Sequence, residues 1–323
     1  MTIDLEALYT DLHQHPELSF QETRTAGIAA GHLRDLGLEV HEGIGVTGVV
    51  GILRNGEGPV VWARADMDAL PVGEETGLAY ASTATGIDPA GNTVPVMHAC
   101  GHDMHVTAMI GAVEKLVAEK DDWSGTVVVL IQPAEEYGAG SRAMLDAGLR
   151  DLVPHPDVVL GQHVTPLPAG TIGVRPGTQM AASDGLTVVL HGRGGHGSRP
   201  HSTIDPVVMA AATVMRLQTI ASREVDPRDV AVVTVGSIHA GLKNNIIPAE
   251  AKLELSLRYP NDEMRDKVLA SVERIVRAEA AASGAEREPE IRTDHTLPPT
   301  INDADATAPV SYTHLTLPTT PYV

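Results

Sequence analysis

The sequence contains a single cysteine, Cys100, so no intramolecular disulfide can staple the chain. Its thiol has to serve packing, reactivity or metal binding. No apolar run approaches the roughly 20 residues of a membrane span. The opening MTIDLEALYT also lacks the basic-then-apolar pattern of a secretory leader, so a cytoplasmic protein with no membrane partner is expected. Lys/Arg-rich runs are missing too, and the net charge is −19. A phosphate-neutralising surface is therefore absent, which excludes nucleic acid as a partner. The acidity favours solubility and names no partner of its own. There is no internal repeat and no low-complexity tract.

What is present describes a folded globular protein, with 43% hydrophobic and 20% charged residues. A length of 323 residues suggests two domains, each large enough to bury a core. Residues 4–36 carry apolar positions at helical spacing, broken by His15-Pro16, and predict two helices joined by a turn. Short apolar runs then alternate with helix-like segments: Val46–Leu53, Pro59–Ala63, a helix near Met104–Ala118, Thr126–Ile131, a helix near Ser141–Ala147, and Val158–Leu160. That alternation predicts an α/β fold with a mainly parallel sheet covered by helices on both faces. After Ser183 the order becomes a strand (Gly185–His191), a helix (Asp205–Ala221), two strands (Val230–Ile238, Ala249–Arg258), a helix (Asp262–Ala282) and a strand (Glu288–Arg292). This β-α-β-β-α-β order predicts a ferredoxin-like second domain. Asp205 before Pro206, and Asn261 before Asp262, mark its two helix starts.

The chemistry concentrates in Met97-His98-Ala99-Cys100-Gly101-His102-Asp103-Met104-His105, where one thiol and three imidazoles precede a helix. Thiolate and neutral imidazole are natural ligands of borderline divalent metals. Gly101 lets the loop bend so that Cys100 and His102 face one point. Read alone, a buried inert cysteine beside surface histidines is the bland alternative. Glu135-Glu136 follows the run Thr126–Ile131 and should emerge at the carboxyl end of a strand, where open α/β sheets build active sites. In such a pair one carboxylate can bind metal while the other accepts a proton. Asp66 and Asp68 follow Ala63, and His163 follows Leu160. Four chain segments thus deliver Asp, Cys/His, Glu and His together, an arrangement unexpected of a purely structural sheet.

The segments DLHQHPELSFQE, RADMDALP, HACGHDMH, QPAEE, GQHV, GTIGVRPG, GRGGHGSRPH and NNIIPAEA, in order from about residue 5 to 300, resemble the M20 metallopeptidase superfamily. Within it they are most similar to the amidohydrolase branch that includes hippurate hydrolases, N-acyl-amino-acid amidohydrolases and auxin-amino-acid hydrolases. The resemblance implies two divalent ions (Mn, Zn, Co or Ni) held by Cys100, His102, Glu136 and His163, with Glu135 as general base and Asp68 orienting a ligand. Asp66 stands where other branches carry a metal-binding histidine, and its role stays open. The resemblance further implies that His196 polarises the scissile carbonyl, often in the partner subunit's site, and that Asn245 and Arg258 bind the substrate carboxylate. His201 is as readily structural. His13, His15, His32, His41, His155, His191, His239 and His295 show no partner pattern and read as ordinary histidines.

The implied activity is hydrolysis of the amide bond of a small, hippurate-like N-acyl amino acid by a metal-activated water, in a homodimer formed through the inserted domain. Alternatives are a dipeptide or diamino acid derivative as substrate, or an inactive metal-binding and dimerisation module. The implied domain plan is a catalytic first part at 1–182, an inserted lid and dimerisation domain at 183–295, a return to the catalytic domain at 296–309, and a non-native tail at 310–323. The tail, VSYTHLTLPTTPYV, has neither helical nor strand periodicity, and its first part resembles a translated transposon-end sequencing adaptor. The family supplies a last metal-binding histidine from a C-terminal segment, and the only histidine near this end, His314, lacks that context. The expectation is therefore a truncated chain.

Overall fold

The computed structural model describes residues 2–313. The chain divides into two compact units between Leu167 and Pro168, ahead of the boundary expected after residue 182. The shift has a local cause: Gly177–Met180 pairs with Thr300–Asn302 and so groups with the later unit.

The first unit opens with α1 (Leu5–Gln14) and α2 (Thr23–Asp35). Asp4 caps α1 by accepting from the Ala7 amide at 3.0 Å. Five strands, β1 (Glu39–Ile44), β2 (Gly48–Asn55), β3 (Val60–Asp66), β6 (Gly125–Gln132) and β7 (Val158–Gly161), build one sheet in the order β1-β2-β6-β3-β7. Between β3 and β6 lie a small hairpin, β4 (Thr85–Ile87) with β5 (Thr93–Pro95), and α3 (His102–Ala118). The sheet is parallel through β6, β3 and β7, and antiparallel where β2 and β1 extend it. β1 has no counterpart in the apolar pattern because Glu39, His41 and Glu42 make it polar, as befits an edge.

Helices cover both faces, which explains why the central strands read as continuous apolar runs. On β6, Val129 and Ile131 turn toward α1, α2 and α3, while Val128 and Leu130 turn toward α4 (Gly140–Asp146) and α5 (Leu149–Leu152). On β2, Val49 and Leu53 join the first cluster and Val50 and Ile52 the second. Each such side chain, fully buried, contributes about 1.5–3 kcal/mol of transfer free energy. Along the edge strand β7, Val159 and Leu160 are exposed.

The second unit holds β8 (Gly177–Met180), β9 (Ala182–His191), β10 (Gly195–His196), α6 (Pro206–Thr219), β11 (Val232–Ala240), β12 (Ile246–Ile247), β13 (Glu250–Tyr259), α7 (Asp262–Ala282), β14 (Glu290–Leu297), β15 (Thr300–Asn302) and α8 (Ala304–Thr313). Its main sheet has the order β11-β13-β9-β14, antiparallel throughout, and α6 and α7 pack against it, which is the ferredoxin-like arrangement. β13 alternates exposed and buried residues along its whole length, as a sheet with one covered face requires. Asp205 accepts from the Val207 amide and Asn261 from the Met264 amide, so both helix starts are capped by the residues that announced them.

One expectation is corrected at the end of the chain. Residues 310–313, which lack a helical pattern, complete α8, because Asp303 accepts from the Ala306 amide and anchors the first turn well upstream. The rest of the 310–323 segment, including His314, lies outside the described residues.

Candidate metal centre

The parallel strands β3, β6 and β7 all end on one side of the first sheet, and the loops that leave them carry the reactive side chains. Asp66 is the last residue of β3, Glu135 and Glu136 follow β6, and His163 follows β7. Cys100 and His102 arrive at the start of α3, whose cap residue Gly101 has φ 79°. A Cβ there would sit 2.4 Å from the Val164 side chain, so glycine is needed both for its backbone conformation and for the approach of the loop that bears His163.

Ligand atoms of Cys100, His102 and His163 lie within 4.8 Å of one another, as do those of His102, Glu135 and Glu136. His102 is common to both groups and is fully buried. Its Nδ1 faces two acceptors, the Asp68 carbonyl at 2.8 Å and Asp68 Oδ1 at 3.2 Å, so Nδ1 carries the proton and Nε2 presents a lone pair. That Nε2 is 3.9 Å from Glu136 Oε1 and 4.0 Å from Glu135 Oε2. His163 has the same polarity: Nδ1 donates to the Val164 carbonyl at 2.6 Å, leaving Nε2 3.3 Å from Cys100 Sγ. Both imidazoles therefore turn unprotonated nitrogens inward, with their tautomers set from behind.

Asp66, His102 and His105 form a third group by distance. The hydrogen bonds argue against His105 as a ligand. Its Nε2 accepts from the Val164 amide at 2.8 Å and its Nδ1 donates to Asp66 Oδ1 at 2.5 Å, so neither nitrogen is free. Asp66 sits 3.6 Å from His102 Nε2 and close to the Arg64 guanidinium. Burial opposes its charge, yet the His105 hydrogen bond and the Arg64 charge hold its pKa down at about 2.

The electrostatics describe a site short of positive charge. Burial and the Glu136 and Glu135 carboxylates push the Cys100 thiol up to about 12. Burial likewise raises Glu136, helped by Glu135 and Asp68 and opposed by His102. Burial would lower His102, but Asp68, Asp66 and Glu136 together raise it. His102 Nε2 and Glu136 Oε1 are buried without a hydrogen-bond partner among the described residues. Unpaired buried acceptors of this kind are costly unless a cation satisfies them. A thiol, two imidazoles and a carboxylate are also a donor set that borderline divalent ions favour. The residues present fit a metal centre.

Asp68 ties the parts together. Its Oδ2 accepts from Ser19 Oγ at 2.6 Å and from the Glu136 amide at 3.0 Å, while Oδ1 faces His102. Burial would raise Asp68, but the hydrogen bonds from His102, Ser19 and the Glu136 amide lower it, so it stays anionic. Ser19 escaped sequence reasoning because nothing in its neighbourhood signals a partner 49 positions away. His13, read as ordinary, is buried, with Nδ1 2.6 Å from Asp103 and Nε2 3.1 Å from Glu74. His98 is buried as well, and burial holds its pKa down at about 4.

In the second unit, His196 pairs with Ile246 across β10 and β12, and the Gly197 amide donates to the Asn245 carbonyl at 2.8 Å, so His196 and Asn245 lie side by side. His196 Nδ1 is 2.8 Å from Ser198 Oγ. Arg258 is exposed on β13 and His201 is exposed beyond β10. The other expected histidines divide: His191 is buried and 3.2 Å from Glu290, while His15 and His41 pair with Asp11 and Glu39 at the surface.

Comparison with known proteins gives concordant matches. The sequence profile described as peptidase family M20/M25/M40 matches residues 62–314. Thermostable carboxypeptidase 1 of Saccharolobus solfataricus is 39% identical over 301 residues, covering 92% of this chain and 73% of that protein. The N-acyl-L-amino acid amidohydrolase of Geobacillus stearothermophilus is 38% identical over 302 residues, covering 93% of this chain and 78% of that one. Among solved structures, a dinuclear metal binding peptidase of the M20 family from Bacillus subtilis superposes with a TM-score of 0.78 at 33% identity, covering 97% of this chain and 80% of that one.

Proposed function

Because the chain belongs to peptidase family M20/M25/M40 and is a metal-dependent amidohydrolase, we propose that it cleaves the amide bond of a small N-acyl amino acid, with Glu135 as general base. The observation that carries this reading is the convergence of Cys100, His102, His163, Glu135 and Glu136 from the start of α3 and from the loops that leave the parallel strands β6 and β7.

Cys100, His102, Glu136 and His163 would hold two divalent ions of the Mn, Zn, Co or Ni class. When bound, such ions supply Lewis acidity that polarises a carbonyl and lowers the pKa of a water. Glu135 is suited to the proton transfer because it is 39% exposed at the mouth of the cluster, against 18% for Glu136. It takes the proton of the attacking water as the oxygen adds to the acyl carbon. When the C–N bond breaks, the same proton passes to the departing amine, giving an acid and a free amino acid. Asp68 holds His102 and the Glu136 amide in place, and Ser19 holds Asp68.

In the second unit His196 would polarise the scissile carbonyl, while Asn245 and Arg258 would bind the substrate carboxylate, a task that suits the guanidinium fork. The ferredoxin-like unit would serve as a dimerisation surface. Among the described residues no helix is long and apolar enough to cross a membrane. The test is a substrate panel of hippurate, N-acetyl amino acids and dipeptides. Release of free amino acid from the N-acyl compounds, abolished by Glu135→Gln, supports the reading, and cleavage of dipeptides alone would replace it with a peptidase.

A further inference from the structure

The segment 13–22 supplies residues that contact the site from behind, and one of them is a buried carboxylate for which the proposed chemistry has no use. We propose that Glu22 is a positioning residue for Glu135, acting through the backbone of Ala134. The inference rests on the reading of Glu135 as the proton acceptor.

Glu22 is fully buried and stands at the N-cap position of α2, yet its side chain does not cap that helix. Glu17 does so instead, its two carboxylate oxygens accepting from the Arg24 and Thr25 amides at 2.9 and 2.8 Å. Glu22 is thereby free to point into the core. Its Oε2 accepts from Thr47 Oγ1 at 2.6 Å, and its Oε1 accepts from the Ala134 amide at 2.8 Å, across 112 positions of sequence.

Ala134 is the residue at which the chain turns off β6 toward Glu135. It is fully buried and has φ 45°, in the left-handed region that a residue with a Cβ enters at a cost of roughly 1–2 kcal/mol. In that conformation its amide leaves the sheet ladder, and a buried N–H must find an acceptor elsewhere. Glu22 is that acceptor. The other bonds of the turn tie it only to itself or to the site: the Gly140 amide donates to the Ala134 carbonyl at 3.1 Å, the Gly138 amide to the Glu135 carbonyl at 2.7 Å, and the Glu136 amide to Asp68 at 3.0 Å. The turn is also close-packed, since a Cβ on Gly140 would lie 1.6 Å from the Pro133 carbonyl oxygen. Among the described residues, the Glu22 bond is the one that fastens this strained turn to the helical layer. Without it Ala134 can relax, and Glu135 shifts relative to Glu136, which Asp68 still holds.

The test compares Glu22→Met, which fills the space without an acceptor, with Glu22→Gln, whose carbonyl oxygen can still receive the Ala134 amide while Thr47 rotates to accept from its NH₂. Glu135→Gln is measured alongside. For Glu22→Met the expected result is a kcat lowered roughly 10–100-fold, with KM and bound metal unchanged. Its amides in 134–140 should also exchange faster with deuterium, while those of β6 stay protected. Glu22→Gln should restore both. Should Glu22→Met fail to fold, Glu22→Asp takes its place, since a side chain shorter by one methylene also withdraws the acceptor. Unchanged exchange in 134–140, or equal impairment of both Glu22 variants, overturns the proposal. Undiminished turnover in Glu135→Gln would instead sink the general-base reading, and the exchange rates would still decide whether Glu22 holds the turn.

Discussion

Cys100 Sγ lies 3.3 Å from His163 Nε2, although 63 positions separate the two residues in the chain. The contact joins the start of α3 to the loop after β7. Burial and the negative neighbours that push the thiol up to about 12 disfavour a thiolate unless a cation offsets them. The expectation is that Cys100→Ser and His163→Ala each lower the metal bound per chain, measured by elemental analysis after dialysis, without altering the far-ultraviolet circular dichroism. Full metal content in the double variant would rule out this pair as ligands.

Glu135 and Glu136 are adjacent but differently placed, the first at the mouth and the second half-buried beside Cys100. Replacing Glu135 by Gln should therefore lower turnover by about 10²–10⁴-fold, the usual loss for a general base, with the ions retained. Should elemental analysis show the ions gone as well, the roles of the two residues are exchanged.

His13 carries a pH dependence whose sign follows from its contacts. Burial alone would lower its pKa, but the hydrogen bonds to Asp103 and Glu74 outweigh it and raise the value. Tyr9, Tyr80 and His98 are the other titratable groups facing it. A raised folded pKa means stability that is fully present below the unfolded value of about 6.5 and is lost as pH rises through the folded value. The melting-temperature advantage of the native chain over His13→Asn should accordingly be largest in mildly acidic buffer and shrink in alkali. An advantage that grows with pH would mean that His13 is held neutral.

Arg258 is exposed on β13, and its proposed partner is the substrate carboxylate. A hydrogen bond to a charged group contributes about 1.5–3 kcal/mol, so Arg258→Ala should raise KM about tenfold or more with a smaller change in kcat. A substrate whose carboxylate is replaced by an amide should lose this sensitivity. Equal effects of the substitution on both substrates would remove Arg258 from carboxylate binding.

Much of this was legible because local chemistry announced it. The doubly covered strands β2 and β6 stood out as apolar runs, Asp205 and Asn261 marked helix starts, and the thiol and imidazoles around Gly101 lay within a few residues of one another. Edge strands were harder: β1 is polar, and β14 extends to Leu297 through mostly exposed residues with little apolar pattern. The residues behind the site were invisible for another reason. His13, Ser19 and Glu22 meet Asp103, Asp68 and Ala134 over separations of 90, 49 and 112 positions, and no periodicity encodes such pairings. The quoted segment DLHQHPELSFQE pointed to a family, but only the fold shows what its polar residues touch.

The most direct measurement is to strip the protein of metal with a chelator, add back manganese or zinc in steps, and follow both ion binding and release of free amino acid from hippurate. The expected result is binding that depends on Cys100, His102, Glu136 and His163, with hydrolysis rising in step with occupancy and absent in Glu135→Gln. Ion binding unaffected by replacing those four residues, or hydrolysis that survives complete removal of metal, would contradict it.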